Sequence, residues 1–412
     1  MRIARFAVAI AALLCVVVAW RAQIAGQFDA PRAPHLWVML AATALLFAVW
    51  LAAARRDATP PAELGAAVEW LLVLALCGLG AWFRLVYFGS VPEGMNHDAA
   101  FNGMFALNAL QGAPYTPYIS AAWGRETLFM YLCAALVWVF GNRPEPIQLA
   151  ATLVGLATLP IFYAFARAVA GQRLALLGLA LLAVSGWHGV FSRVGWRMIM
   201  VPPFEMLALL GLWRGLAGRR WGWLLAGCGA AGAIYTYDAG RMVPVMVGAL
   251  FALVAAFEPQ RWRQRARGAG VTVVTFVIVG GPMLYYAATH FEQFKARASH
   301  LAEERESEHS GFAAKLPTAL AMFHYRGNGN DFFINEPLLE PLAAVLFGFG
   351  LLIALARLAR PPERFLVVGF GLALLPGMLA EPNGNRCITA LPFVYVFAAM
   401  GVAGLTDLLL LP

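Results

Sequence analysis

The residues best placed for chemistry are a handful of carboxylates and arginines that punctuate apolar runs. In VPEGMNHDAAFNGM, Asp98 follows a Pro/Gly turn directly after an apolar helix, so its carboxylate is held close to a membrane surface. There it can act as a general base for a hydroxyl or amide nucleophile, with His97 beside it. The structural alternative is that Asp98 caps a helix starting near residue 99. In WGRETLF, Glu126 can join Asp98 while Arg125 faces a phosphate; equally, Glu126 suits a helix N-terminus through the macrodipole. In AIYTYDAGRMVPV, Tyr235, Tyr237, Asp238 and Arg241 share one turn. The guanidinium fork of Arg241 matches a pair of phosphate oxygens, and an Asp238–Arg241 ion pair competes with that role. Arg193 and Arg197 in FSRVGWR, His324, Tyr325, Arg326 and Asp331 in FHYRGNGNDFF, and Arg386 in EPNGNRC complete the set. An anionic headgroup would account for Arg193 and Arg197, and so would ordinary lipid contact. No segment is specific alone, and no Walker loop, GxGxxG, HExxH or GxSxG element accompanies them.

The elements that must position these residues are transmembrane helices. Hydrophobic residues make up 61% of the 412 and charged residues 13%, about half the share of a soluble domain. The mean hydropathy is +0.70. Apolar runs long enough to cross a bilayer lie near 5–22, 36–54, 67–88, 147–168, 174–191, 199–216, 221–237, 242–257, 269–288, 338–356, 364–380 and 388–411. The first follows Arg2 and Arg5 and reads as a retained signal anchor. The net charge of +8 comes from short basic clusters between these runs, which is how orientation signals look and not how a nucleic-acid surface looks. The cysteines (Cys15, Cys77, Cys133, Cys228, Cys387) form neither a CxxC pair nor a disulfide framework.

Arginines mark cytoplasmic turns at 55–56, 167–173, 214–220, 261–267 and 357–364. The connections at 89–126, 192–198, 238–241, 289–337 and 381–387 then face outward. Residues 127–141 are apolar but short, and counting them as a span would put Arg167 and Arg173 outside. They are therefore expected to lie along the outer surface, helped by Tyr131 and Trp138, with 99–111 a second segment of the same kind. The reading is an all-α polytopic protein of about twelve spans with both termini inside. Its parts are two N-terminal helices in 1–66, a transmembrane module in 67–288 with a first outer loop at 89–146, a second outer loop at 289–337, and C-terminal helices in 338–412. The second loop carries five Lys/Arg and seven Asp/Glu, including the solvated charge run HLAEERESEHS. All the candidate residues fall on the outer face, which favours chemistry at the membrane surface over passage through it.

Taken in order, PEGMNHDAA, LFMYLCAALVWVFGN, YAFARAVAGQR, FSRVGWR, IYTYDAGRMVP, NDFFINEPLLEPLAAVLFGFGL and PNGNRCITALPFVYVFAAMGVAGL resemble the GT-C class of membrane glycosyltransferases. The likeness is greatest to bacterial relatives of protein O-mannosyltransferases and of the lipid A aminoarabinose transferase, and it covers roughly residues 67–408. The resemblance implies surface helices in the first outer loop and an acidic active-site residue that matches Asp98. It implies an inverting transfer from a polyprenyl-phosphate sugar to an acceptor (protein, lipid or glycan) at the periplasmic face of a bacterial inner membrane. Asp98 would be the base, with His97 and Glu126 beside it. Arg241, then Arg386 and Arg326, and further Arg193, Arg197 and Tyr237, would meet the donor phosphate. Many members carry two acidic residues where this chain reads His97–Asp98–Ala99, so no obligatory metal or other cofactor is expected, and Glu126 or Asp238 would have to supply a missing ligand. Membrane lipids and a partner subunit are the further partners considered; nucleic acid is not. The competing readings are a flippase for a lipid-linked saccharide, for which Pro160 and Gly280–Gly281–Pro282 are the candidate helix breaks, and a non-catalytic subunit of a larger assembly.

Overall fold

The computed structural model describes residues 34–53, 62–91, 94–121, 124–295, 311–327 and 337–410, together with Val17. The expected span at 5–22, the Arg55–Arg56 turn, the 300–310 charge run and Asp331 lie outside the described residues, Val17 apart.

The chain is helical almost throughout, as its apolar runs require. Helices α1 (Pro34–Ala53), α2 (Ala66–Leu85) and α3 (His97–Leu110) come first. A two-strand ribbon, β1 (Tyr118–Ile119) with β2 (Arg125–Glu126), precedes α4 (Leu128–Phe140). Then follow α5 (Glu145–Ala170), α6 (Gln172–Ala183), α7 (Gly186–Phe191), α8 (Val201–Leu216), α9 (Arg220–Ala233), α10 (Met242–Phe257) and α11 (Trp262–Thr289). The last group is α12 (Leu316–Ala321), α13 (Pro341–Ala356), α14 (Pro361–Ala373), α15 (Leu375–Leu379) and α16 (Leu391–Leu410). Short 3₁₀ turns at Arg197–Met200 and Asp238–Arg241 lead into α8 and α10.

Eleven of the twelve expected spans fall on described helices, and the chain is a multi-pass membrane protein. Seven helical stretches among the described residues are long and apolar enough to cross a membrane, and α1, α4, α6 and α13 are shorter apolar helices. Two expected spans are interrupted. The run 174–191 divides into α6 and α7, and 364–380 divides at Leu374 into α14 and α15. At the first break, the fully buried Arg84 donates to Leu182 O (3.2 Å), Ala183 O (2.8 Å) and His188 Nδ1 (2.6 Å). It thus satisfies carbonyls that a helix end leaves orphaned. By contrast Pro160 and Pro282, read above as candidate breaks, lie inside continuous helices α5 and α11.

Ion pairs fix how the helices run. Near the start of α2, Glu69 meets Arg167 near the end of α5 (2.8 Å). At the other end, Gly195 packs against both Ile147 in the first turn of α5 and Ala99 in α3. Helices α2 and α5 are therefore antiparallel, and the connection between them begins and ends on one side. Helices α3 and α4, with 14 and 13 residues, are each too short to cross and belong to that same side. The arginines of the 167–173, 214–220 and 261–267 turns lie at the opposite end, since α8 and α10 each leave the site end and α9 and α11 return to it.

Small residues let the helices close up. A Cβ on Gly211 of α8 would stand 2.3 Å from Ala226 N of α9, and one on Gly350 of α13 would stand 1.7 Å from Phe397 O of α16. Such contacts are how helices associate where lipid supplies no hydrophobic drive. Helix α1 packs against α13, with Arg357 over the Trp50 ring at 4.9 Å. Exposed apolar side chains on α2 (Trp70, Leu71, Leu74, Trp82) and α11 (Val273, Val274, Ile278) form the lipid-facing surface.

Candidate active site

Asp98 lies in the first turn of α3, but it is not the cap. Asn96 caps the helix, its Oδ1 accepting from Ala99 N–H at 2.9 Å. Asp98 is left to make an ion pair with Arg125 (Oδ1 to Nη2, 2.7 Å), with 27% of its side chain exposed. Burial pushes the Asp98 carboxyl up, but Arg125, with Arg197 and His97 behind it, outweighs burial and holds it below the usual aspartate range. His97 stands at the rim, 69% exposed and 3.8 Å from Asp98.

The ribbon explains how neighbouring residues serve different parts of the site. Tyr118 pairs with Glu126 and Ile119 with Arg125, and successive strand residues point to opposite faces. Arg125 therefore turns to Asp98 and the Phe101 ring (4.8 Å), while Glu126 turns to the arginines beyond. Glu126 has no exposed surface and lies between Arg241 (Oε1 to Nη2, 2.8 Å) and Arg197 (Oε2 to Nε, 3.4 Å). With no exposed surface it is not placed as a second base; just ahead of the α4 N-terminus, it is the anion that holds two guanidinium groups. Arg241 also meets Asp238 at 3.3 Å and lies under the Phe294 ring at 4.1 Å. The competing Asp238–Arg241 pair thus forms, and Glu126 adds to it. Arg197, 4% exposed, stacks at 5.1 Å on the ring of Tyr237, so Tyr237 serves as a shelf.

The result is one cluster with three carboxylates (Asp98, Glu126, Asp238) and three arginines (Arg125, Arg197, Arg241). Its formal charge is balanced. Buried guanidinium edges remain, since Arg197 Nη2 and Arg241 Nε have no hydrogen-bond partner among the described residues. Such edges are what a phosphate oxygen needs. Among the described residues no group of three or more His, Cys, Asp or Glu comes together as a metal cluster.

Two expected phosphate ligands belong to a neighbouring turn. Arg386 pairs with Glu381 at 3.6 Å, and Gly384 N–H donates to Gly327 O at 3.3 Å, which brings the Arg326 segment alongside. The 388–390 turn in turn touches the 238–241 turn. Arg193 is different: its three nitrogens donate to Phe83 O (3.0 Å), Val86 O (2.6 Å) and Val91 O (2.9 Å). It clasps the end of α2 and the start of the connection to α3, so its guanidinium is occupied by backbone and not offered to a ligand. His324 is buried against Phe347, and Tyr325 is half-buried.

Sequence reasoning missed two features. Arg125, which by sequence could face a phosphate, pairs with Asp98. Asn102 escaped notice although it stands one helical turn after Asp98, and that spacing was the available signal.

Residues 127–286 match the family model described as dolichyl-phosphate-mannose-protein mannosyltransferase. No curated protein sequence matches the chain. Among solved structures, the oligosaccharyltransferase AglB of Archaeoglobus fulgidus, in complex with an inhibitory peptide and a dolichol-phosphate, superposes with a TM-score of 0.55 at 13% identity. The match covers 82% of this chain and 50% of AglB, so the chain spans about half the length of that relative. ArnT from Cupriavidus metallidurans bound to undecaprenyl phosphate gives 0.54 at 14% identity, and its apo form 0.57 at 15%. Both cover 82% of this chain and 60% of ArnT. The chain has the GT-C fold of these membrane glycosyltransferases and resembles their protein O-mannosyltransferase and aminoarabinose-transferase branches.

Proposed function

We propose that the chain is an inverting glycosyltransferase that moves a sugar from a polyprenyl-phosphate-linked donor to an acceptor at the extracytoplasmic face of the membrane. The observation that carries this reading is the juxtaposition of an ionised, partly exposed Asp98 with two arginines, the buried Arg197 and the half-buried Arg241, anchored on the buried Glu126 at one end of the bundle. Lipid phosphates are the ligands named for AglB and ArnT, which supports the donor class.

The chemistry is a single displacement. Asp98 takes the proton of the acceptor hydroxyl or amide as its oxygen or nitrogen attacks the anomeric carbon. The bond from that carbon to the phosphate oxygen breaks, and its electron pair leaves with the lipid phosphate. This leaving group is a weak base and needs positive charge instead of a strong acid. Arg241 and Arg197 supply that charge, and Arg386 and Arg326 stand in the adjoining turn for the rest of the headgroup. An aspartate held ionised by Arg125 is a modest base, but it is ready at every physiological pH. Each of the three carboxylates is engaged by an arginine, so the site is read as offering none of them to a metal.

The test is sugar transfer from a radiolabelled polyprenyl-phosphate sugar pool in solubilised membranes, wild type against Asp98→Asn, each with and without EDTA. The expected result is labelled product from the wild type, unaffected by EDTA, and a loss of about 10²–10⁴-fold in the variant with donor binding retained. Wild-type turnover by Asp98→Asn would remove Asp98 as the base. Donor bound but never consumed by either protein would favour a carrier.

A further inference from the structure

The stretch 192–197 holds the segments around the candidate base at three points. Ahead of Asp98, Arg193 holds Val91 O at 2.9 Å together with the end of α2. Beside it, Arg197 holds Glu126, the neighbour of Arg125 on β2. Beneath it, Gly195 O accepts a hydrogen bond from Asn102 Nδ2 at 2.9 Å. Asn102 is 1% exposed and lies four residues after Asp98, hence on the same face of α3 and one turn further in.

The rest of that face is small: Ala99, Gly103 and Ala106 are buried. A Cβ on Gly103 would meet Ile147 at 2.9 Å, and one on Gly195 would meet Ile147 at 2.9 Å and Ala99 at 3.3 Å. Helix α3, the turn and α5 therefore lie in direct contact. Gly195 adopts φ +74°, a conformation that side chains disfavour. Apolar contacts between small residues carry no direction, and α3 could slide or roll on them. The Asn102–Gly195 hydrogen bond is directional, and a buried amide that lost its partner would carry the full cost of its desolvation.

We propose that Asn102 is a positioning residue for Asp98: through Gly195 it seats the first turns of α3 on the 192–197 turn and so holds the carboxylate against Arg125. The proposal rests on the functional reading above only in taking Asp98 as the base. The charged groups facing Asp98 are Arg125 from β2, Arg197 from the 197–200 turn and His97 from its own helix. Loosening the seat separates Asp98 from the first of these, and its protonation then moves with its position.

The test uses detergent-solubilised full-length chain and reads Asp98 directly, by carbodiimide labelling of the protonated carboxyl across pH with mass spectrometry. Asn102→Leu keeps the volume and removes the donor. Gly195→Ala disturbs the same contact from the other side. Thr158→Val removes a hydrogen bond of α5, from a buried side chain about three turns beyond Ile147, and serves as the control. Labelling of Asp98 is expected to set in at higher pH in Asn102→Leu and Gly195→Ala, with Thr158→Val following the wild type. Where transfer is measured, Asn102→Leu should lower kcat by about 10²-fold, as a displacement of order 1 Å does, with the donor KM little changed. An Asp98 labelling profile in Asn102→Leu that superimposes on the wild type, with only thermal stability reduced, would overturn the proposal. A wild-type chain that transfers no sugar would refute the functional reading alone, since the labelling profile still decides the seat.

Discussion

Replacing Glu126 by glutamine takes one charge from the centre of the cluster while keeping the side chain's size, and its cost follows from the geometry. At an effective dielectric of about 20, the attraction to Arg241 at 2.8 Å is about 6 kcal/mol and that to Arg197 at 3.4 Å about 5 kcal/mol. Desolvation of a carboxylate with no exposed surface offsets much of this. What breaking such a buried pair costs is about 3–5 kcal/mol, because the buried Arg197 loses its carboxylate partner and Arg241 keeps only Asp238. With an unfolding entropy of about 2.1 cal/mol/K per residue over 412 residues, that is a fall of about 4–6 °C in the unfolding midpoint. Thermal unfolding of the solubilised chain, followed by tryptophan fluorescence, reads it directly. The double variant Glu126→Gln/Arg241→Gln should be less damaged than the two single changes added together, since each single change already breaks the Glu126–Arg241 pair. A Glu126→Gln midpoint within about 1 °C of the wild type, with a coupling to Arg241 below about 0.5 kcal/mol, would refute the claim that Glu126 holds the arginines.

Two further outcomes follow from other contacts. The native Asp98 carboxyl lies below its unfolded value, so the stability of its ion pair is complete above the ordinary aspartate range and is lost only as pH falls through the lowered native value. Arg125→Met leaves burial opposed only by Arg197 and His97, so the acid limb of kcat/KM should climb to higher pH; an unchanged limb would separate that limb from Asp98. Gly350→Val forces side-chain atoms onto the Phe397 carbonyl and should destabilise the α13–α16 contact by about 3 kcal/mol or more, measured by thermal unfolding. An unaltered midpoint would mean that these helices do not approach so closely.

The membrane class, the positions of most helices and the candidate residues of the outer loops were open to sequence reasoning because they depend on local quantities. An apolar run of membrane length is a property of consecutive residues, and so is a cluster of arginines in a short turn. Even the surface placement of residues 128–140 followed from length and parity, and the antiparallel α2 and α5 agree with it. Asp98 could be singled out as a candidate from its place after an apolar helix, with a helix cap equally open, and the resemblance to GT-C enzymes is what set it above that alternative. The charge balance of the site was not legible. Glu126 meets Arg241 across 115 positions and Asn102 meets Gly195 across 93, and no pattern within either segment announces the other.

The sequence by itself determined that this chain is a bundle of apolar helices with polar residues gathered at one end, since burial in lipid leaves few alternatives for such runs. Only the tertiary structure decided what each polar residue does there. A guanidinium will serve backbone carbonyls, a carboxylate or a ligand according to which of them lies within about 3 Å. Arg193 became a clasp on the end of α2 and Arg84 a plug in a broken helix. Arg241 became the ion-pair partner of the buried Glu126, and the residue type alone could not have told these three apart.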